Sequence, residues 1–194
     1  MGGNGIEKEV ITVHLLLFLV FYLLGSIPVA YLAGKLWRGI DIREYGSGNV
    51  GTMNTRAVLG WGIAILVFLL DVGKGILAVY IARIAGVDPY LALLLAVTGD
   101  IYPIWLKWQG GKGLAAGLGG LLLEPQLFPV LIFCTIWGCC YLPTRDSDWA
   151  GLTASLAFTA AVAWKAHLPG KLWLVLLGSV VAWKHLCEVK RGCC

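Results

Sequence analysis

Between Gly46 and Arg56 the chain reads Gly-Ser-Gly-Asn-Val-Gly-Thr-Met-Asn-Thr-Arg. Ser47, Asn49, Thr52 and Asn54 are neutral hydrogen-bonding groups, and Arg56 adds a fixed positive fork. Gly46, Gly48 and Gly51 allow backbone amides to turn toward one point with no Cβ in the way. Many donors combined with net positive charge suit a phosphate. A turn that merely joined two helices would have no need of two asparagines, a serine and an arginine.

The spacing Gly46-x-Gly48-x-x-Gly51 also spells the dinucleotide-binding fingerprint. That motif works only after a β-strand and inside a βαβ unit. Here a long apolar run of helical length precedes it, so the nucleotide reading is set aside. A second anion-binding candidate is Gly110-Gly-Lys-Gly113, which opens a short apolar piece. A helix N-terminus offers free N–H groups and a positive dipole, to which Lys112 adds a full charge. The longer glycine spacing of a Walker A loop is missing. His185 stands near the end of the last apolar run, followed by Glu188, Lys190 and Arg191. Ser47 and His185 could be drawn as a dyad, but the sequence assigns it no orienting acid. The spacing of His and Cys gives no zinc motif, and no metal is expected. Asp71 and Lys74 lie three apart on one helical face and can neutralise each other. Asp100 has Lys112, Arg43 or Arg56 as its expected partner.

The elements that must position these groups belong to a membrane protein. The 194 residues are 59% hydrophobic and only 13% charged, against about 25% charged in soluble domains. Mean hydropathy is +0.81. A net charge of +4 then speaks to orientation in the bilayer rather than to nucleic acid. A span needs about 20 mainly apolar residues. Candidates are 10–36 with a gentle break at Gly25-Ser-Ile-Pro28, 60–82, 89–106, 126–142, 149–166 and 171–186. The piece 113–123, closed by Glu124-Pro125, makes about seven spans if it crosses and six if it is re-entrant. Residues 37–58 read as a loop. With seven spans and the N-terminus outside, Lys35, Arg38, Arg43, Arg56, Lys107, Lys112, Arg145, Lys184, Lys190 and Arg191 share one side. Lys8, Arg83, Lys165 and Lys171 fall on the other, so the positive-inside rule puts the C-terminus in the cytoplasm. The glycine-rich loop, the Gly-Gly-Lys-Gly turn and the His185 end then meet on that face. The expected fold is all-α, a polytopic membrane bundle forming one domain over 1–194. The first run is too long for a cleaved signal peptide. The six cysteines read as buried free thiols, with Cys193 and Cys194 also open to lipidation.

One family carries these residues together. Tyr22-Leu-Leu-Gly-Ser-Ile-Pro28, Asp41-Ile-Arg43, Gly46-Ser-Gly-Asn-Val-Gly51, Asn54, Leu59-Gly60, Asp71-x-x-Lys74-Gly75, Tyr102-Pro103 and Gly110-Gly-Lys-Gly113 resemble the bacterial acyl-phosphate-dependent glycerol-3-phosphate acyltransferases, the PlsY family. The match is dense from about residue 20 to 120. The resemblance implies a seven-span enzyme of the bacterial cytoplasmic membrane, acting as a monomer without a cofactor. It would transfer an acyl chain from acyl phosphate to the 1-hydroxyl of glycerol 3-phosphate, giving lysophosphatidic acid and phosphate. The donor's own phosphate would take the hydroxyl proton. By the same resemblance Ser47, Asn49, Gly51 and Asn54 would cradle phosphate, Lys112 would contact phosphate and His185 would help hold glycerol 3-phosphate. Taken with the residue reading, Ser47, Lys112 and His185 are the catalytic candidates. Arg43, Gly48, Asn49, Gly51, Thr52, Asn54, Arg56, Gly111 and Glu188 are the substrate-binding candidates.

The chain departs from the family pattern at four places. Arg56 follows Asn54 by two residues instead of three, about 100° of helical rotation. Asp100 replaces a histidine before Tyr-Pro, and Ala115-Ala116 stand where a threonine is usual. Glu188 replaces an asparagine, and a carboxylate there repels phosphate unless Lys184, Lys190 or Arg191 neutralises it. A relative with another acceptor, or a non-catalytic lipid-binding, anion-binding or transport protein, is the alternative these residues leave open.

Overall fold

The computed structural model describes residues 3–124, 127–165 and 167–192, most of them helical. The first expected span is two helices, α1 (Gly3–Ser26) and α2 (Val29–Arg38), set at 42°. Pro28 has no amide to continue the helical ladder, which turns the gentle break into a bend. A 3-10 turn at Ile42–Glu44 leads to α3 (Thr52–Leu59), so part of the expected loop 37–58 is helix. Gly60, at φ +88°, separates α3 from α4 (Trp61–Ile84). Next comes α5 (Pro89–Ile101), whose N-terminal amides at Tyr90 and Leu91 donate to Asp88 Oδ1 at 2.8 and 3.2 Å. A 3-10 turn at Ile104–Leu106 precedes α6 (Leu114–Leu122), α7 (Leu127–Thr144), α8 (Ser147–Trp164) and α9 (Lys171–Gly192).

Among the described residues four segments are long and apolar enough to cross a bilayer: α4, α5 with its following turn, α7 and α9. The bent α1–α2 pair makes a fifth. The nine residues of α6 rise only about 13 Å, less than half of a ~30 Å hydrocarbon core. The piece 113–123 is therefore too short to cross by itself. Helix α8 is long enough, but Asp148, Thr153, Ser155 and Thr159 leave it outside that apolar set.

Small residues bring the short helix in close. A Cβ on Gly75 would fall on the backbone of Ala116 and Gly120, and one on Gly119 on the backbone of Val72. Helices in lipid associate through such close backbone approach, because apolar area alone gives no preference over lipid tails. This crossing sets the start of α6 against the middle of α4, where Asp71 and Lys74 lie. Helices α8 and α9 pack along each other, and α5 joins α9 through a buried cluster including Leu93, Val97, Ile101 and Leu174. Cys134 and Cys139 are exposed on α7, and Cys140 and Cys187 are half-buried. The expected burial of the thiols therefore does not hold for the described ones; α7 turns most of its surface outward, with only 6% of its residues buried. Cys193, Cys194 and Pro125 lie outside the described residues.

Candidate active site

The glycine-rich loop is built around Asn54. Its side chain is buried, at 3% exposure, beneath the turn it holds. Nδ2 donates to the carbonyls of Ile42 (3.1 Å), Tyr45 (3.1 Å) and Asn49 (2.9 Å). Oδ1 accepts from the Ser47 amide at 2.9 Å. Both of its N–H groups and one side of its oxygen are engaged by the loop, so Asn54 shapes the turn rather than offering a free donor to a ligand. Gly46, at φ +61°, passes directly over this amide, and a Cβ there would collide with Asn54 Oδ1. Gly48 also has positive φ, +72°. Gly51 differs, because φ −134° is ordinary extended backbone and nothing lies within reach of a Cβ. Its missing side chain leaves space at the start of α3.

The second loop hangs from the end of α5. Gly110 N–H donates to Ile101 O (3.1 Å) and Gly111 N–H to Asp100 O (2.9 Å). Gly113, at φ +76°, then turns the chain into α6. These bonds aim Lys112 across the bundle, where its ammonium donates to Ser147 Oγ at 3.2 Å and pairs with the Asp148 carboxylate. Asp148 Oδ1 also lies 3.4 Å from His185 Nδ1. His185 itself is fully buried. The ring presses on α8 at Gly151, where a Cβ would overlap the imidazole.

Beneath these loops lies an ion triad. Lys74 Nζ is 2.7 Å from Asp71 Oδ1 and 3.1 Å from Asp100 Oδ1. The Asp71–Lys74 pairing is as the helical spacing suggests. Asp100, however, is partnered by Lys74, not by Lys112, Arg43 or Arg56. A buried ammonium gains from a second carboxylate where water is scarce, and the end of α5 supplies it.

A polar cavity of about 310 Å³ unites these groups. Ser47, Asn49, Gly51, Thr52, Asn54, Gly111, Lys112 and His185 all line it, joined by Asp71, Asp100, Ser147 and Asp148. The three polar stretches far apart in sequence therefore meet. Arg43, Gly48, Arg56 and Glu188 are not part of the lining. Arg43 forks onto Asp41, with Nε to Oδ1 at 3.0 Å and an outer nitrogen to Oδ2 at 2.7 Å, and lies over the Tyr31 ring. Those hydrogen bonds hold the Asp41 carboxyl down at about 2, so the pair is a loop clamp. Arg56 stacks its guanidinium on Trp61, 5.0 Å from the ring centre. Glu188 pairs with Lys184 at 2.8 Å, which removes the repulsion a free carboxylate would bring. Asp148 and Ser147 escaped the sequence reading. The signal was there in Asp146-Ser147-Asp148 at the start of an apolar run, but such a triplet reads as a helix cap.

A second cavity, of about 290 Å³, is apolar and adjoins the first. Phe68, Gly113, Leu114 and Ala115 line both. It then runs past Leu118, Leu121, Phe133 and Phe158 between α6, α7 and α8.

Comparison with known proteins decides the family. The model of the glycerol-3-phosphate acyltransferase family matches residues 15–193. The chain belongs to the glycerol-3-phosphate acyltransferase family. Among curated members of this family it is 39% identical over 178 residues to the glycerol-3-phosphate acyltransferase of Gloeobacter violaceus, covering 88% of this chain and 86% of the relative. The Symbiobacterium thermophilum glycerol-3-phosphate acyltransferase is 42% identical over 173 residues, with coverage of 88% and 86%. The fold superposes on the crystal structure of PlsY, an integral membrane glycerol 3-phosphate acyltransferase, in its glycerol 3-phosphate form. That match has a TM-score of 0.76 and 30% identity, over 91% of this chain and 90% of the other. The lysophosphatidic acid form of the same enzyme gives 0.74 at 30% identity, with the same coverage.

Proposed function

We propose that this chain transfers an acyl group from acyl phosphate to the 1-hydroxyl of sn-glycerol 3-phosphate, releasing lysophosphatidic acid and inorganic phosphate. The observation that carries this reading is the adjoining pair of cavities. A polar chamber holding Lys112 shares the wall at Phe68, Gly113, Leu114 and Ala115 with an apolar one, which suits a donor with a phosphate at one end and a hydrocarbon chain at the other. The chain would lie along α6 and the phosphate at Lys112, placing the acyl carbonyl near Gly113.

Lys112 is held by Asp148 and Ser147, and an arriving phosphate takes over part of that partnership. The glycerol 3-phosphate hydroxyl attacks the carbonyl carbon, its proton passes to the donor phosphate, and the C–O bond to phosphate breaks as the ester forms. Rate enhancement comes from holding two anions in attack geometry and from stabilising charge on the phosphate with Lys112 and loop amides. The same reading has one domain working as a monomer, seven-span if α6 crosses together with its flanking residues, with its N-terminus outside, in the bacterial cytoplasmic membrane and with the site facing the cytoplasm. The distribution of basic residues supports that orientation.

The test is Lys112→Ala. Lys112 lies in a loop before α6, so the variant should fold, with a melting profile near that of the unmodified protein, while acceptor-dependent phosphate release falls at least about a hundredfold. Undiminished turnover would overturn the assignment.

A further inference from the structure

Among the residues that line the polar chamber, Lys112 is the one lysine or arginine, and it shares the lining with three carboxylates, those of Asp71, Asp100 and Asp148. Lys74 neutralises one charge between Asp71 and Asp100. With His185 neutral, three carboxylates against two ammonium groups leave one net negative charge. A chamber for phosphates is thus built with no surplus of positive side chains, and the carboxylate that removes the surplus is Asp148.

Asp148 has no task in forming its own helix. The amides at the start of α8 are already capped by Asp146, whose Oδ1 accepts from Asp148 N–H (2.8 Å) and Trp149 N–H (3.2 Å). The Asp148 carboxylate pairs with Lys112, and its Oδ1 also lies 3.4 Å from His185 Nδ1. The two sides of the ion pair differ in freedom. Asp148 belongs to a long helix and leans on an imidazole that is fully buried. Lys112 stands in a loop between Gly111 and Gly113, and its ammonium ends a flexible four-carbon stem. Neither side chain is sealed off, at 18% exposure for Lys112 and 29% for Asp148. An arriving anion therefore moves the lysine, while the carboxylate stays where it is.

An ammonium held by a carboxylate serves phosphate only for the fraction of time it is free, and apparent affinity falls by that fraction. Acyl phosphate and inorganic phosphate offer Lys112 the same kind of oxygen, so a lysine that gripped one without competition would also retain the other. The donor compensates by burying its hydrocarbon chain in the adjoining apolar cavity. Inorganic phosphate has no such chain. Competition at Lys112 thus weakens the product more than it costs the substrate.

We propose that Asp148 is a positioning residue that competes with phosphate for Lys112, reclaiming the lysine after acyl transfer so that inorganic phosphate leaves. The inference rests on the proposed function, which places the donor phosphate at Lys112.

The experiment measures inhibition by added inorganic phosphate, with lysophosphatidic acid formation from a long-chain acyl phosphate and glycerol 3-phosphate as the rate. Lipid-reconstituted protein is compared with Asp148→Asn, which keeps the size of the side chain and removes its charge. The inhibition constant for phosphate should fall at least about fivefold in the variant. Asp148→Glu restores the charge and should bring the constant back to within about twofold of the unmodified value. A merely structural role predicts the opposite sign, because a loosened chamber binds phosphate less well. An unchanged or raised inhibition constant in Asp148→Asn overturns the proposal. Absence of lysophosphatidic acid from the unmodified protein would instead refute the proposed function. If Asp148→Asn does not accumulate, ¹⁵N–¹³C distance NMR on the unmodified protein in bilayers reads the Lys112 Nζ to Asp148 Cγ contact, assigned by its loss in Lys112→Ala. The contact should be present without phosphate and lost at saturating inorganic phosphate, and its persistence overturns the proposal.

Discussion

Replacing Asn54 by alanine removes no donor that is free to bind substrate, yet it should nearly silence the enzyme. The side chain makes four hydrogen bonds, at 2.9 to 3.1 Å, to the backbone of Ile42, Tyr45, Ser47 and Asn49. The amide has only two N–H groups for the three carbonyls, so the set counts as three full bonds, and a net value of about 1 kcal/mol each gives about 3 kcal/mol against the folded loop. If that energy appears as lost preorganisation of the phosphate-facing amides, turnover falls about a hundredfold, at 1.36 kcal/mol per decade. The assay is phosphate release from acyl phosphate with glycerol 3-phosphate present, run beside amide hydrogen exchange on residues 42–50. Faster exchange confined to that segment should accompany the loss. Asn54→Asp sharpens the test. It keeps one acceptor for the Ser47 amide but sets a second oxygen against three carbonyls, so its defect should equal or exceed that of alanine. Activity within about threefold of the unmodified protein, with unchanged exchange, would refute the view of Asn54 as the loop's central tie.

Three further substitutions probe the rest of the site. Gly151→Ala drives a methyl group into the His185 ring and should lower kcat at least tenfold, by about 1.4 kcal/mol or more, read in the same phosphate-release assay; full activity would show that the imidazole has room to move. Gly117 lines the apolar chamber, and a Cβ there meets only Val97 at 3.8 Å. Gly117→Leu should therefore fold, judged by its melting profile, and cut use of long-chain acyl phosphates by at least about tenfold relative to short-chain ones; an unchanged ratio would move the hydrocarbon chain elsewhere. Glu188→Asn should leave the KM for glycerol 3-phosphate within about twofold, because Lys184 already neutralises this carboxylate and Glu188 does not line the chamber. A large fall in KM would mean that the Glu188 charge reaches the substrate.

The parts of this account that were legible in the sequence are those where residue type alone names the chemistry. Apolar runs of span length gave the long helices, and the basic residues gathered in three stretches announced that the Ser47 loop, Lys112 and His185 would meet. Relations between elements were harder. Asn54 reads as a ligand group in sequence, and only the fold shows its amide spent on carbonyls five to twelve residues away. Asp100 offered no means of choosing among cations, and its actual partner, Lys74, had already been matched with Asp71. Asp148 lies 37 residues from His185, and a carboxylate beside a helix start has an ordinary capping explanation that Asp146 in fact fulfils. The one-residue shift of Arg56 relative to the family motif was visible in sequence. Its result, a guanidinium stacked on Trp61, needed the geometry of Gly60 and the start of α4.

The central claim is that one chamber receives an acyl phosphate and passes its acyl group to glycerol 3-phosphate. The most direct measurement follows phosphate and lipid together, using purified protein in bilayers with a long-chain acyl phosphate, with and without glycerol 3-phosphate, and with the corresponding acyl thioester as a control donor. Phosphate released one-for-one with lysophosphatidic acid, only when acyl phosphate and acceptor are both present, is the predicted result. Equal product from the thioester, or phosphate release indifferent to the acceptor, would contradict it.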